Sequence, residues 1–261
     1  MRIAAGSALI LFLLSAGAAA AASADQAPRL DAARMEALVK EQIVLVRAGR
    51  LKDALRSLDR RIAMQKTPLE RADLLEAFGA ELYRAEASLD QRATIETALD
   101  YLARAAMAYR LVLGNDHPEL ATALVRQAEM ERLLRPQEPG LSADVAYETA
   151  YRIRATKLGP RSFVTLSTLI PMAQLKALPS RAKGNPDKIE DAATLLHQVI
   201  EATAGSSDVG ARALHADALE ALQALDSGSG GRSVAGRRSQ SLPRGAAKTC
   251  DAAWPDDVML F

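Results

Sequence analysis

The segment 98–134 limits most strongly what this chain of 261 residues can fold into. Its apolar residues recur at helical spacing, stop at a Leu113-Gly114 turn and resume after Pro118, which predicts two helices joined by a short connection. A weaker copy of the pattern follows about 45 residues later, over 143–178. Self-similarity at this spacing is typical of stacked helical hairpins, because one hairpin alone cannot bury its apolar face.

Small residues are expected where the two helices of a hairpin cross, since short side chains let the helix axes approach. Ala54, Ala98, Ala143 and Ala192 occupy this position at intervals of about 44 to 49 residues. The spacing predicts an all-α fold with four helical hairpins and a capping helix over residues 30–226. Aromatic residues are only 4% of the chain, which disfavours a β-sandwich or barrel. An unrelated bundle of alanine-rich helices is the alternative.

Short local signals predict where two of the helices end or begin. Gly49 ends the first helix, because glycine adopts a positive φ at little energetic cost. Thr67 and Glu70 are spaced for a capping box around Pro68, a residue that suits the first turn of a helix. We therefore expect a helix to begin at this point.

Further positions are predicted to start or interrupt helices. Asn115 or Asp116 caps the helix that begins near Pro118, and Ser207 caps the last helix. Pro171 falls inside a helical pattern, where the missing N–H and the ring clash cost about 3 kcal/mol or more. We expect a kink or break at Pro171.

The run LGNDHPELATALVRQAE at residues 113–129 resembles the tetratricopeptide-repeat variant of kinesin light chains and many bacterial proteins. In that variant a Leu-Gly turn, an Asp-His-Pro helix start and an Ala-Thr-Leu run occur together. The segment AGRLKDALRSLDRR at residues 48–61 resembles the inter-helix turn of the same repeat, with Ala54 at the helix crossing. The resemblance implies a right-handed alpha-alpha superhelix, a solenoid that binds another protein.

The resemblance also implies a binding face, because the first helix of each hairpin lines the concave side of such a solenoid. A mixed-charge groove of this kind suits an extended peptide or a helix of a protein partner. Ordinary solvated surface positions are an equally good interpretation of the same side chains. By register alone, the groove positions are Lys40, Arg47, Glu76, Tyr83, Arg126, Glu129 and Gln174.

Residues 1–24 have the pattern of a secretory signal peptide. Arg2 forms a minimal positive region, an apolar stretch follows, and Ala22-Ser23-Ala24 supplies a small-residue cleavage site. We expect cleavage before a short linker at residues 25–29, and export to a bacterial periplasm. An uncleaved membrane anchor is the alternative, because the apolar run approaches the ~20 residues that span a bilayer.

Residues 227–261 differ in composition from the helical part and are predicted to be a disordered tail. The basic first part suits either contact with a membrane surface or anionic polymer, or a solubilising linker. The last residues combine aspartates with apolar side chains, which predicts a docking segment anchored by Trp254 and Phe261 on this chain or a neighbour. Cys250 is the single cysteine, and it pairs with another molecule, is a free reactive thiol or is incidental.

Little in the sequence indicates catalysis. It contains no HExxH, GxSxG, Walker or GxGxxG motif, and one cysteine cannot assemble a thiolate zinc site. A formal net charge of +1 gives no global attraction to nucleic acid. We expect a non-catalytic scaffold of the cell envelope, without metal or cofactor, that binds a protein partner. The alternatives are an envelope-tethered structural protein that uses the tail and Cys250, or an enzyme whose site the sequence does not reveal.

Overall fold

In the computed structural model, which describes residues 29–85, 91–136, 140–178 and 186–226, every regular element is an α-helix. The all-α fold is therefore confirmed for this part of the chain. The predicted signal peptide and the predicted tail, with Cys250, Trp254 and Phe261, lie outside the described residues. The helices are α1 (Ala32–Arg47), α2 (Leu51–Met64), α3 (Pro68–Ala85), α4 (Gln91–Leu113), α5 (Pro118–Leu134), α6 (Leu141–Leu158), α7 (Phe163–Lys176), α8 (Pro186–Thr203) and α9 (Val209–Asp226).

The chain divides into two compact units, residues 1–130 and 131–261. In the first unit, α1 packs on α2, α2 on α3 and α3 on α4, and α1 also touches α3. In the second unit, α6 packs on α7, α7 on α8 and α8 on α9, and α7 also touches α9. The helix α5 belongs to the first unit as far as Met130. Each unit thus pairs consecutive helices and adds a contact between alternate helices, as stacked hairpins require.

The residues predicted at the helix crossings are completely buried, two in each unit. They are Ala54, Ala98, Ala143 and Ala192, each 0% exposed. Close to Ala98, Gly79 of α3 approaches α4 so closely that a Cβ atom there would lie 2.7 Å from Cγ of Leu102. Because Gly79 has no side chain, α3 and α4 can pack this closely together.

The two helix ends predicted from local signals have the expected geometry. Gly49 adopts a φ of +73°, and its N–H donates to the carbonyl of Val46 over 2.9 Å. At the start of α3, Thr67 Oγ1 accepts a hydrogen bond from the Glu70 N–H over 3.1 Å. The Glu70 carboxylate accepts one from the Thr67 N–H over 3.0 Å, so the capping box is confirmed.

The cap of α5 differs from the prediction. The helix begins directly at Pro118, so His117 occupies the cap position. The ring Nδ1 of His117 accepts a hydrogen bond from the Glu119 N–H over 3.2 Å. The prediction of Asn115 or Asp116 is wrong, because both residues lie in the turn before the cap.

The cap of α9 also lies one residue later than predicted. The Asp208 carboxylate accepts a hydrogen bond from the Ala211 N–H over 2.7 Å, so the cap is Asp208 and not Ser207. The helix dipole favours a negative charge at the N-terminus of a helix, and a neutral serine hydroxyl gains less from this interaction.

Pro171 does not break the helix in which it lies. The helix α7 runs without interruption from Phe163 to Lys176. Pro171 is buried with most of this helix, which packs against α6, α8 and α9. Of the two predicted outcomes the break is wrong, because burial in the tertiary structure offsets the lost hydrogen bond and the ring clash. The kink stays a prediction.

Polar side chains also connect the helices of the second unit. Arg154 of α6 is 6% exposed and donates to Thr168 Oγ1 of α7 over 2.7 Å. Thr203 Oγ1 of α8 lies 3.0 Å from Nδ1 of His215 on α9. These bonds satisfy polar groups that helix packing removes from water.

We expect Gly79→Ala to lower the free energy of unfolding by about 1–3 kcal/mol, because the new methyl group overlaps Leu102. At an exposed helical position the same change raises stability by about 0.5–1 kcal/mol. Urea unfolding followed by circular dichroism measures the difference. In a Leu102→Ala background the overlap is gone, so Gly79→Ala should no longer destabilise. An equal loss in both backgrounds would contradict the close packing described here.

Candidate functional site

Two of the side chains predicted to line the groove meet in the structure. Arg126 of α5 and Glu76 of α3 form an ion pair, although they lie 50 residues apart in the chain. Their side chains are only 28% and 15% exposed. Such a shielded pair is screened less by water and salt than a pair on the open surface. It joins the first helices of two successive predicted hairpins.

The other predicted groove residues of the first unit lie in different surroundings. Lys40 and Arg47 are exposed on α1. Glu129 is half-buried on α5. Tyr83 belongs to α3, but its side chain lies outside the described part of the structure. The structure therefore brings Glu76 and Arg126 together and leaves Lys40 and Arg47 accessible to solvent.

Hydrogen bonds between equivalent helices recur at a separation close to the repeat length. In the second unit, Gln174 of α7 accepts from Arg132 at the end of α5 over 3.4 Å, a long bond between residues 42 apart. In the first unit, Tyr101 of α4 donates to Asp59 of α2 over 3.0 Å, also 42 residues apart. The predicted repeat length is about 44 to 49 residues. Within each unit, a hydrogen bond thus links two helices that the repeat pattern predicts to correspond.

A polar cluster that the sequence analysis missed lies inside the first unit. It consists of Arg29 ahead of α1, Asp73 of α3, Tyr109 of α4 and Glu119 of α5. Arg29 Nη1 lies 2.8 Å from Glu119 Oε1 and 3.9 Å from Asp73 Oδ1. The Tyr109 hydroxyl donates to the same Asp73 oxygen over 2.9 Å. Four segments of the chain therefore meet around one buried carboxylate.

Burial dominates the electrostatics of this cluster. It raises the pKa of Asp73, and the charge of Arg29 and the hydrogen bond from Tyr109 offset only part of the effect. Burial and the Asp73 carboxylate together raise the pKa of Tyr109 well above its ordinary value. Burial also acts to lower the pKa of Arg29, but Glu119 and Asp73 outweigh it and raise that pKa. Arg29 therefore stays charged and attaches the start of the described chain to α3 and α5.

One sequence signal could have revealed Asp73. It falls on the same face of α3 as Leu69 and Ala80, which are 0% and 4% exposed. An acidic residue on a buried face needs a partner, because an unpaired buried charge is strongly unfavourable. No such signal marks Arg29, because this residue precedes the first helix and lies outside the apolar periodicity of α1.

An open depression lies between the end of α1 and α2. It is lined by Leu45, Arg50, Asp53, Arg56, Ser57 and Arg60. Asp53 accepts hydrogen bonds from Arg50 over 2.9 Å and from Arg56 over 2.5 Å, which lowers its pKa. Three arginines against one aspartate make the depression positive. Its groups are suited to binding an anion, because guanidinium groups present forked hydrogen-bond donors that match carboxylate and phosphate oxygens.

No protein-family model and no curated protein sequence matches this chain. The tetratricopeptide resemblance therefore stays an expectation drawn from residues 48–61 and 113–129. Among the described helices, none has the length and apolarity needed to cross a membrane. Within the same four ranges, no three His, Cys, Asp or Glu side chains converge so that they could hold a metal ion.

We expect Arg29→Met to lower the free energy of unfolding at neutral pH by about 1–2 kcal/mol. Removing the partner of a fully buried charge has a larger effect, but the side chains of Arg29 and Glu119 are 34% and 30% exposed, and water screens them. Without Arg29 the pKa of Asp73 rises further. The loss should therefore shrink as the pH falls and Asp73 takes up a proton. Urea unfolding from about pH 4 to about pH 8 measures this dependence.

Two further variants test the sign of the effect. The folded-state pKa of Asp73 is raised, so the chain loses stability as the pH rises from the ordinary value of 3.8 through the folded-state pKa. Asp73→Asn should remove this loss and match or exceed wild-type stability at neutral pH. Arg92→Met is the control, because the Arg92 side chain is 76% exposed. It should change the free energy of unfolding by less than about 0.5 kcal/mol. A loss for Arg29→Met that grows at acidic pH would contradict the assignment.

Proposed function

We propose that this chain is a non-catalytic adaptor of the bacterial cell envelope, built as a tetratricopeptide-like right-handed superhelix of four hairpins and a capping helix. A protein partner contributes an extended peptide or a helix, which binds along the face of the first helices. Export is supported by the signal-peptide pattern of residues 1–24.

The observation that carries the proposal is the ion pair between Glu76 of α3 and Arg126 of α5. Both residues are assigned to the groove by register alone, and first helices that lie side by side predict such a contact. The contacts of α1 with α3 and of α7 with α9 give further support. Helices arranged in this way offer a long, narrow strip of side chains, which suits a peptide or a helix better than a small molecule.

The charges of this strip indicate what kind of partner segment fits it. Glu76 and Arg126 neutralise one another, so this part of the strip offers polar groups without net charge. On α1, the exposed Lys40 and Arg47 outnumber the exposed Glu36 at helical spacing. A partner segment with acidic residues facing α1 and neutral polar residues facing α3 and α5 matches this distribution.

A double charge reversal, Glu76→Arg with Arg126→Glu, tests the face without leaving a shielded charge unpaired. Because an ion pair remains, the free energy of unfolding should change by less than about 1 kcal/mol. The local field is inverted, so the affinity for the partner should fall about tenfold or more. The measurement is co-purification from envelope extract with the wild-type chain and the variant, followed by titration of the partner obtained.

The matched control is the reversal Arg92→Glu with Glu96→Arg on α4, an exposed pair with side chains 76% and 51% accessible. This control should bind the partner as the wild type does. Undiminished binding by the Glu76/Arg126 variant would reject the first-helix face. An equal loss for both variants would also reject it, because it would indicate a general effect of charge. Failure of the wild-type chain to retain any partner would remove the adaptor proposal.

A further inference from the structure

The depression between the end of α1 and α2 lies where positive charge is concentrated. Residues 32–64 contain eight basic and four acidic residues, a net charge of +4, whereas the whole chain has +1. The depression itself is lined by three arginines and one aspartate, whose charges sum to +2. A field of this sign raises the local concentration of anions. We call the lining residues Arg50, Asp53, Arg56, Ser57 and Arg60 the arginine site.

The backbone at the edge of the arginine site is held by hydrogen bonds. The Arg50 N–H donates to the Leu45 carbonyl over 2.9 Å, across the turn in which Gly49 adopts its positive φ. The Arg50 carbonyl accepts from the Asp53 N–H over 3.1 Å at the start of α2. Arg50 thus closes α1 and opens α2, so its side chain leaves from a defined position. A site formed in advance loses less conformational entropy when it binds a ligand.

Asp53 holds two of the guanidinium groups next to one another. Its Oδ2 accepts from Arg50 Nε over 2.9 Å, and its Oδ1 accepts from Arg56 Nη2 over 2.5 Å. Arg60 Nε donates to the Arg56 carbonyl over 3.2 Å, which keeps the Arg60 side chain along the helix. The side chains of Arg50 and Arg56 are nevertheless 60% and 75% exposed, so a ligand can reach them.

Most donors of the arginine site have no partner among the described residues. A guanidinium carries five N–H groups, and the contacts above use one nitrogen of each arginine. The half-buried Ser57 also lines the depression, and its hydroxyl makes no hydrogen bond within the described ranges. Three guanidinium groups and a hydroxyl therefore bring unused donors to one depression.

The number of these donors favours a phosphate group over a carboxylate. A carboxylate is planar and has two oxygens, which one guanidinium pairs in a fork. Asp53 already supplies such a group to two of the arginines. A phosphate monoester has three acceptor oxygens and carries a charge of about −1.5 to −2 at pH 7. It can therefore accept from three guanidinium groups at once, and it balances the charge of the lining residues.

We propose that the arginine site binds a phosphate group, with its three arginines donating to the phosphate oxygens and Ser57 adding a hydroxyl donor. The depression has a volume of about 690 Å³, so the phosphate can belong to a larger molecule. A soluble phosphate compound and a lipid headgroup present the same chemistry. The site is formed mainly by α2, and it does not depend on the proposed function or on the first-helix face.

Other arginines near this site are compensated by carboxylates. Arg61 of α2 pairs with Glu41 of α1. Arg104 of α4 lies 3.9 Å from Asp59 and 3.6 Å from Asp100. An anion at either place would meet the repulsion of these carboxylates, so the arginine site is the better position for it.

Titration of the purified chain with inorganic phosphate tests the site, followed by nuclear magnetic resonance of the arginine Nε–H groups. At an ionic strength of about 0.1 M the Debye length is about 10 Å, so attraction by distant charges is largely screened. We expect saturable shifts of these signals with phosphate. Malonate, a dicarboxylate of similar charge, should bind several-fold more weakly, because it does not offer three oxygens on one centre.

A double variant locates the bound phosphate. Arg56→Gln with Arg60→Gln removes two of the three guanidinium groups at exposed positions. It should weaken phosphate binding about tenfold or more, while helicity stays unchanged. The matched control is Arg92→Gln with Arg110→Gln, which removes two charges from exposed positions of α4 and should bind phosphate as the wild type does.

Vesicles of phosphatidic acid and phosphatidylcholine distinguish the two sources of the phosphate group. Co-sedimentation of the wild-type chain that the double variant loses would identify a lipid headgroup. Phosphate binding with absent or unchanged co-sedimentation would identify a soluble phosphate compound.

Three results would overturn the proposal. The first is the absence of saturable phosphate binding, and the second is malonate binding as tight as that of phosphate. The third is phosphate binding that the double variant retains or that the control loses equally, since either would indicate another site or a general effect of charge. No protein partner is added in this experiment, so its failure leaves the adaptor proposal unaffected, and the reverse also holds.

Discussion

The close approach of α3 and α4 at Gly79 is the constraint on which the first unit depends. With no side chain at this position, Leu102 packs directly against the α3 backbone. The same separation of the helix axes lets Phe78 meet Tyr101 edge to face, with ring centroids 5.1 Å apart. It also brings the Tyr109 hydroxyl within 2.9 Å of Asp73. A larger residue at position 79 would disturb all three contacts, because a packed interior does not deform at one point alone.

Two acidic residues of α3 show how position on a helix decides the role of a charge. Asp73 faces α4 and the segment before α1, where burial makes its carboxylate unfavourable unless Arg29 and Tyr109 accompany it. Glu76 lies three residues later on the same side of the helix, and it pairs with Arg126 of α5. The first arrangement attaches a chain segment to the helices, whereas the second joins two helices whose exposed side chains form the proposed partner-binding face.

The periodic features of the fold could be predicted from the sequence, because they depend on local spacing. The crossing alanines, the Gly49 helix end and the capping box at Thr67 all follow from residue type and position. The groove assignment placed Glu76 and Arg126 on neighbouring first helices, but nothing in the sequence indicated that they pair. Arg29 and Asp73 were missed because their contact joins segments that no local pattern relates. The break expected at Pro171 is absent for a similar reason, since packing by three other helices outweighs the local effect of the proline.

The central claim is that equivalent helices of neighbouring hairpins lie side by side. Thiol cross-linking measures this most directly, with cysteines at positions 76 and 126, or at 132 and 174, in a Cys250→Ser background. We expect a short bismaleimide to join both pairs within one molecule of the folded chain, and to join neither pair in urea. Cross-linking of neither pair in the folded chain would contradict the stacked-hairpin account and the binding face that depends on it.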